Sequence, residues 1–251
     1  MKKNKRKNIV ENHTLINDET PFAVRESFNL LRTNILYTRA KGNGAPVFGI
    51  TSAGESSGKS TIIANLAYSF ANTSKKVLLI DGDMRCPVQQ EFFGYKKGTA
   101  GLSEVLSGIV KDWREVVIKT DNSFMDVLSS GRIPPNPSEL LLGPDFNKII
   151  DEIKGEYDYV FIDFPPIGVI SDAVSVASYI DGYIFVIRAN VSDTISVNDA
   201  LNNLEGVGAN VVGIVLNDVN YKAGGLGGRY SSAKCDKYAK YAEAQASARD
   251  N

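Results

Sequence analysis

The sequence predicts an α/β fold in which helices flank a mostly parallel β-sheet, followed by a flexible C-terminal tail that carries tyrosines. Short β-branched runs alternate with longer amphipathic stretches along most of the 251 residues, which is typical of βαβ units. The β-branched runs are apolar at consecutive positions, which indicates that helices cover both faces of the sheet. Residues 221–251 hold glycines and tyrosines but almost no aliphatic side chains, so they cannot bury a hydrophobic face.

Each predicted strand is one of these short apolar runs. The regular spacing of apolar side chains over residues 22–40 predicts a helix before the first strand, and a helix over 60–71 follows that strand. The predicted strands lie at residues 47–52, 76–81, 125–129, 159–163, 183–188 and 211–216.

Polar residues that favour helix N-termini predict three later helices. These are Ser138 before residues 139–141, Ser171 and Asp172 before residues 173–180, and Ser192 and Asp193 before residues 194–204.

The composition limits the chemistry that this chain can perform. With 28 basic and 29 acidic residues and 43% hydrophobic residues, the chain is expected to form one soluble globular domain, and its charge gives no support for a nucleic-acid partner. The one histidine, His13, and the two cysteines, Cys86 and Cys235, cannot build a zinc site or a nucleophile pair. The cation chemistry that remains is that of oxygen ligands around Mg²⁺.

The two ends of the chain are expected to lie outside the folded domain. The basic residues between Lys2 and Lys7 precede no apolar stretch, so they do not form a signal peptide. A solvated end is favoured there over a contact with anionic lipid. No run approaches the roughly 20 apolar residues that span a bilayer, and two unrelated thiols suit a reducing cytosol. The predicted parts are a basic flexible N-terminus (1–20), a folded domain (21–220) and a flexible tail (221–251).

The segment AGESSGKST between the first strand and the next helix predicts a phosphate-binding P-loop. Backbone N–H groups at a helix N-terminus form an anion cradle. Lys59 would reach the β- and γ-phosphates of a nucleotide, and Ser60 would supply a hydroxyl to Mg²⁺. Ala53 replaces the usual first glycine and fits if its φ angle need not be positive. The predicted nucleotide-binding residues of the loop are Ala53, Gly54, Glu55, Ser56, Ser57, Gly58, Lys59, Ser60 and Thr61.

Three aspartates follow two other predicted strands at the carboxyl edge of the sheet, where α/β folds bind ligands. Asp81 and Asp83 stand in LIDGDMR, and Asp163 stands in VFIDFPP. One such aspartate is often a turn or cap residue, but three beside one P-loop favour a metal site formed by Ser60, Asp81 and Asp163. A second carboxylate could accept the proton of an attacking hydroxyl, so we interpret Lys59, Asp81 and Asp83 as catalytic. If water were the acceptor, an orienting group would suffice.

These motifs, in this order, resemble those of the bacterial tyrosine kinases (BY-kinases) of capsule and exopolysaccharide clusters, of the CpsD/CapB type, which are P-loop NTPases. The similarity extends over residues 20–221. It comprises the Walker A motif at 53–61, an additional Walker A′ motif at 78–85, the Walker B motif with its double proline at 161–166, the signature SGRIPPNPSELL at 130–141 and the helix ESFNLLRTN at 26–34.

The resemblance implies an enzyme that uses ATP and Mg²⁺ to autophosphorylate C-terminal tyrosines between subunits of a ring, and that regulates polysaccharide synthesis and chain length. It places Asp81 and Asp83 at the acceptor and the metal, and Asn217 at the adenine, although an asparagine there could be a simple turn residue. The implied phosphoacceptors are Tyr221, Tyr230, Tyr238 and Tyr241.

The resemblance also implies partners. The first is a transmembrane polysaccharide co-polymerase whose cytoplasmic segment activates the kinase and brings it from the cytoplasm to the inner face of the cell membrane. Further implied partners are other copies of the chain in a ring when unphosphorylated, a cognate tyrosine phosphatase and sugar-nucleotide enzymes as substrates. The chain departs from the family's ring-helix pattern Glu-x-x-Arg-x-x-Arg, because Glu26 and Arg32 flank Asn29. The tail tyrosines are also spread over 21 residues, whereas the family's cluster is usually dense.

The alternative function is that of a MinD/ParA-like ATPase, a binding protein switched by its nucleotide. That group carries a lysine directly after the first P-loop position, where this chain has Gly54. The tail also lacks the apolar stripe of a membrane-binding helix. Both observations favour the kinase.

Overall fold

The computed structural model describes residues 14–38 and 44–219, and its centre is a seven-stranded sheet in the order β3-β4-β2-β5-β1-β6-β7. All neighbouring strands are parallel except β3, which runs antiparallel to β4 at one edge. The strands are β1 (Val47–Ser52), β2 (Val77–Asp81), β3 (Val117–Lys119), β4 (Met125–Leu128), β5 (Tyr159–Asp163), β6 (Gly182–Arg188) and β7 (Val211–Asn217).

Eight α-helices of the described residues connect and cover these strands. The alternation of side chains along β2 shows how both faces are buried, since Val77 and Leu79 enter the core beneath α1 and α2, while Leu78 and Ile80 enter the core beneath α4–α8. The helices are α1 (Phe22–Leu36), α2 (Lys59–Ala71), α3 (Gln90–Phe93), α4 (Leu102–Leu106), α5 (Pro137–Leu142), α6 (Pro144–Lys154), α7 (Asp172–Ser175) and α8 (Thr194–Gly206).

The α/β fold class and the six predicted strands are confirmed, each strand to within one residue at either end. The seventh strand, β3, was not predicted. It has three residues, lies at the sheet edge and is only partly buried, so its sequence shows neither an apolar run nor a clear alternation.

One of the three predicted helix caps was wrong, and the helix that follows another one is shorter than predicted. Ser138 lies inside α5, which begins at Pro137, and its hydroxyl donates to Asp172 instead of capping the helix. The helix predicted over 173–180 is divided into the short α7 and a separate 3₁₀ turn, Ala177–Tyr179. The third cap is confirmed, since the Asp193 carboxylate accepts the Ser196 N–H at the start of α8.

The predicted N-terminal helix is confirmed over most of its length, but α1 ends at Leu36 rather than at residue 40. Of the residues that we assigned to a flexible N-terminus, Leu15 packs on the core and the Ile16 N–H donates to Asn65. Residues 1–13 and 220–251 lie outside the described residues, so the division at residues 20 and 220 stays a prediction. Where the chain is described, none of its helices has the length and apolar character that a bilayer span requires.

Candidate active site

The P-loop joins β1 to α2, and its shape depends on the conformation of Gly58 and on a hydrogen bond across the loop. Gly58 has a φ of +90°, and a Cβ atom there would lie 2.1 Å from Asn217 Nδ2, so only glycine fits. The Ser57 hydroxyl donates across the loop to the Gly54 carbonyl oxygen at 2.8 Å. Ala53 is not among the residues with positive φ, which explains why alanine is tolerated at the position of the usual first glycine.

The N-terminus of α2 forms the expected anion cradle. Gly58 occupies the cap position and offers no side-chain acceptor, so the N–H groups of the first helical turn are available to phosphate oxygens. Lys59 opens the helix and is only 8% exposed. Its ammonium lies close enough to Asp163 to lower the pKa of that carboxyl. The loop therefore places a cation and a set of N–H donors at one point.

Asp81 and Asp163 lie side by side at the carboxyl edge of the sheet. They are register partners at the ends of the parallel strands β2 and β5, and both are buried. The chain turns away directly after Asp81 at Gly82, where a Cβ atom would approach the Asp163 carbonyl oxygen to 2.9 Å. The register of the sheet thus brings the two carboxylates together beside the P-loop, as the sequence predicts.

The environment of these two aspartates opposes ionisation. Burial, together with the charges of Asp163 and Asp83, raises the pKa of Asp81 well above its ordinary value. Burial raises the pKa of Asp163 to about 6, although Lys59 and hydrogen bonds from Ser60 and Gln89 lower it in part. Two neighbouring buried carboxylates cannot both ionise without a compensating charge, and a bound divalent cation supplies such a charge.

Oxygen atoms without partners indicate where that cation fits. Among the described residues, five buried side-chain N or O atoms have no hydrogen-bond partner, and three of them are Asp81 Oδ1, Asp163 Oδ1 and Gln89 Oε1. Oxygen atoms of carboxylates and amides are the ligands and water acceptors that Mg²⁺ requires. No group of three or more His, Cys, Asp and Glu side chains within residues 14–38 and 44–219 forms a metal cage. The donor set fits a cation that keeps much of its water.

Asp83 stands at the front of the site, less buried than Asp81. Its Oδ1 accepts the backbone N–H groups of Arg85 and Cys86 at 3.2 and 2.9 Å, so the carboxylate folds the turn that follows β2. Its charge also raises the pKa of both Asp81 and Asp163. Lys59, Asp81 and Asp83, predicted as catalytic, are therefore brought to one edge of the sheet.

A partly buried ion pair between Arg85 and Asp172 connects three segments around the site. Asp172 is fully buried and accepts from Arg85 Nε at 3.1 Å and from the Ser138 hydroxyl at 2.6 Å. Arg85 in turn donates to the Ser138 hydroxyl at 2.8 Å. These three residues come from the Walker A′ loop, the SGRIPPNPSELL segment and the start of α7. The cross-link fixes the positions of these three segments relative to one another.

Two side chains from the ends of β6 and β7 reach the P-loop. Asn217 ends β7, and its Nδ2 donates to the Ser57 carbonyl oxygen at 2.9 Å. Arg188 ends β6, and its guanidinium donates to the Ser56 carbonyl oxygen at 3.0 Å. Asn217 thus lies beside the loop as expected, and its contact with adenine stays a prediction.

The side chains of the predicted ring helix make contacts within the chain. Asn29 Nδ2 donates to Glu26 Oε1 at 2.7 Å, one helical turn away. Arg32 donates to the Ser69 carbonyl oxygen of α2 at 2.7 Å. Helix α1 therefore packs on α2, the helix that begins at the end of the P-loop.

Several residues of the site escaped the sequence reasoning. Gln89 stands in a loop with no pattern that marks it, and Asp172 was interpreted only as part of a helix start. Tyr95 is a third case, because its buried hydroxyl has no partner, and burial together with the charges of Asp81 and Asp163 raises its pKa. Only the tertiary structure brings Gln89 and Tyr95 to the aspartates, and Asp172 to Arg85 and Ser138. The predicted acceptors Tyr221, Tyr230, Tyr238 and Tyr241 lie outside the described residues.

The parallel sheet, the glycine-shaped loop with its lysine and the acidic strand ends define a P-loop nucleotide-binding protein. A family model described as an AAA domain matches residues 50–207. The tyrosine-protein kinase CpsD of Streptococcus agalactiae is 38% identical over 212 residues, which cover 84% of this chain and 91% of that protein. The chain belongs to this family of bacterial tyrosine-protein kinases.

Solved structures agree with this assignment. The kinase domain of the Escherichia coli tyrosine kinase ETK matches with a TM-score of 0.75 and 29% identity, over 84% of each chain. The chimerical protein CapA2B2 matches with a TM-score of 0.75 and 31% identity, over 82% of this chain and 92% of that one. The MinD cell division protein of Aquifex aeolicus matches more weakly, with a TM-score of 0.58 and 26% identity over 71% of each chain. The kinase domains are therefore the nearer of these structural relatives.

Proposed function

We propose that this chain transfers the γ-phosphoryl group of Mg·ATP to protein tyrosines, with its own C-terminal tyrosines as acceptors. The observation that carries the proposal is the buried pair Asp81 and Asp163, aligned in register beside Lys59, with Asp83 in front of it. A nucleotide-binding loop alone would serve any ATPase. The additional aspartates supply both a cation site and a proton acceptor for a phenol.

Each residue of the site has one role in the proposed reaction. The N–H groups of the P-loop and Lys59 hold the phosphates, as a lysine and a helix N-terminus do in this class of site. Ser60, Asp81 and Asp163 would hold Mg²⁺, which supplies positive charge to the phosphate oxygens. Asn217 would contact the adenine from the end of β7.

We assign Asp83 as the base that takes the proton from the acceptor tyrosine. A phenol has a pKa near ~10, so removal of its proton requires a positioned base at neutral pH. Asp83 is more exposed than Asp81 and can therefore meet an incoming side chain. The phenolic oxygen forms a bond to the γ-phosphorus as the bond from that phosphorus to the bridging oxygen of ADP breaks, and the proton passes to the carboxylate of Asp83.

The acceptors and partners are also part of the proposal. Tyr221, Tyr230, Tyr238 and Tyr241 are the proposed acceptors, because they follow β7, whose end lies at the P-loop. The similarity of this chain to the chimerical protein CapA2B2 supports a partner of the activator class. We propose that this partner is a transmembrane co-polymerase that brings the chain to the inner face of the membrane. Ring formation, a cognate phosphatase, sugar-nucleotide enzymes as substrates and control of polysaccharide chain length are proposed with it.

The decisive experiment is phosphotyrosine formation by the purified chain with Mg·ATP and the cytoplasmic segment of an activating partner. Lys59→Met should abolish labelling, because it removes the cation at the phosphates, while circular dichroism shows an intact fold. Lys75→Met, at an exposed position before β2, is the matched control and should label normally. ADP release without phosphotyrosine would contradict the kinase and support a nucleotide switch of the MinD type. Labelling by the Lys59→Met variant would remove the P-loop from the mechanism.

A further inference from the structure

Gln89 is a buried side chain that joins three elements of the site. It follows the Walker A′ loop directly before α3 and has no exposed surface. Its Nε2 donates to Asp163 Oδ2 at 2.7 Å and to the Ser60 carbonyl oxygen at 3.3 Å. Its backbone N–H points to Asp81 Oδ2 at 3.4 Å. Gln89 thus contacts the end of β5, the first turn of α2 and the end of β2.

These partners fix the direction of the Gln89 amide. Both groups that face Nε2 are acceptors, a carboxylate and a carbonyl oxygen. A flipped amide would place Oε1 against those oxygens and lose both hydrogen bonds. Oε1 must therefore point away from them, and it is buried without a partner.

The oxygen of Gln89 shares this condition with the two carboxylates beside it. Asp81 Oδ1 and Asp163 Oδ1 are also buried without partners. A buried acceptor that lacks a donor costs about 1–3 kcal/mol, so three such oxygen atoms on residues in direct contact indicate donors that arrive with a ligand. Water molecules on a cation are donors of this kind, since Mg²⁺ keeps several of them when it binds to proteins.

We propose that Gln89 is a positioning residue of the magnesium site: its NH₂ group orients the Asp163 carboxylate, and its Oε1 accepts a hydrogen bond from a water molecule on the cation. The inference rests on the proposed function, because it requires that Mg²⁺ binds with the nucleotide. It assigns a role to a residue outside the three motifs. Outer-shell partners of this type typically change metal affinity by about 10- to 100-fold.

The test compares ADP binding with and without Mg²⁺, using the full chain and a fluorescent ADP analogue. In wild type, Mg²⁺ should strengthen binding of the analogue. Gln89→Met keeps the size of the side chain and removes both polar groups. We expect its affinity for the analogue in EDTA to equal that of wild type, and the Mg²⁺ concentration needed for half of the strengthening to rise by about tenfold or more. A disturbed fold would weaken both measurements, so the difference between them identifies the role of Gln89.

Gln90→Met is the matched control. Gln90 is the next residue and donates to the Pro87 carbonyl oxygen at 3.0 Å, within the same loop. This variant should keep the Mg²⁺ dependence of wild type. Gln89→Asn is a second variant, which keeps an amide in the site but shortens it by one methylene group, and it should show the same loss if Gln89→Met does not fold.

Different results would contradict the proposed function and the role of Gln89. If Mg²⁺ does not strengthen binding of the analogue to wild type, the proposed function is contradicted. If Mg²⁺ strengthens binding to wild type and to a folded Gln89 variant at the same concentrations, the role of Gln89 is overturned while the proposed function stands.

Discussion

Asp163→Asn should stabilise the metal-free protein at pH 7 while removing a magnesium ligand. Asp163 is almost fully buried, and burial raises its pKa from 3.8 to about 6, with Lys59, Ser60 and Gln89 opposing the rise. At pH 7 the folded protein must ionise this carboxyl against its environment, whereas the unfolded chain ionises it freely. Asparagine has nearly the same shape and carries no charge, so it avoids this cost.

The size and the sign of the effect follow from the two pKa values. The rise in the pKa of Asp163 from 3.8 to about 6 corresponds to about 3 kcal/mol in the free energy of unfolding, at about 1.4 kcal/mol for each pH unit. Because the folded-state pKa is the higher one, the contribution of Asp163 to the stability of wild type is most favourable below pH 3.8 and is lost as the pH rises through 6. The advantage of Asp163→Asn should therefore be about 3 kcal/mol at pH 7 and close to zero near pH 4.

The assay is urea denaturation in EDTA at several pH values between 4 and 7.5. Asp126→Asn is a matched control, because Asp126 is also buried but pairs with Lys119 at 2.7 Å and with the Tyr157 hydroxyl at 2.8 Å. Loss of that satisfied carboxylate should destabilise the protein at pH 7. An Asp163→Asn protein that is no more stable than wild type at pH 7, or whose advantage does not depend on pH, would refute the reasoning.

Two further predictions concern the shape of the site. Gly58→Ala should abolish tight ADP binding and cost about 1–3 kcal/mol in urea denaturation, because alanine must take a φ of +90° and its Cβ would lie 2.1 Å from Asn217 Nδ2. Gly206→Ala, at the end of α8, whose Cβ meets nothing within 4 Å, should leave both measurements unchanged, and a similar loss there would contradict the explanation. Asp172→Ala should slow phosphotyrosine formation and cost about 1–3 kcal/mol, because Arg85 and Ser138 lose their shared acceptor while Arg85 is exposed enough to regain water. Asp18→Ala breaks an exposed ion pair with Arg25 and should change stability by less than about 0.5 kcal/mol, so an equal effect of both variants would show that the Asp172 cross-link has no special role.

The sequence predicted the parts of the fold that are written in local patterns. The apolar runs of β1, β2 and β5 identified the central strands, and the P-loop and the acidic strand ends located Lys59 and Asp163 at one edge of the sheet, where the structure has them. These predictions succeed because a fully buried parallel strand must be apolar at consecutive positions, and because ligands of such folds bind at the carboxyl ends of strands. The short edge strand β3 has neither property and could not be predicted.

The contacts that no local pattern contains are those between distant loops. Ser138 has the residue type of a helix cap and was predicted as one, but it lies inside α5 and its hydroxyl donates to Asp172, which is 34 positions away. Gln89 lies 74 positions from Asp163 and contacts it only because β2 and β5 are neighbours. A cap preference of about 1 kcal/mol is easily outweighed by a buried charged partner, so tertiary contacts decide the fate of such residues.

The buried carboxylates also explain why this site should link stability to ligand binding. Burial and the charge of Asp163 raise the pKa of Asp81, burial also raises the pKa of Asp163, and each carboxyl has one oxygen atom without a hydrogen-bond donor. Natural proteins accept such local costs mainly where a ligand removes them, because binding to the folded state then adds stability in proportion to the logarithm of ligand concentration. The same pair that weakens the metal-free chain is therefore expected to make Mg·ADP strongly stabilising. Asp163→Asn should reverse both effects, giving a protein that is more stable alone and gains less from the nucleotide.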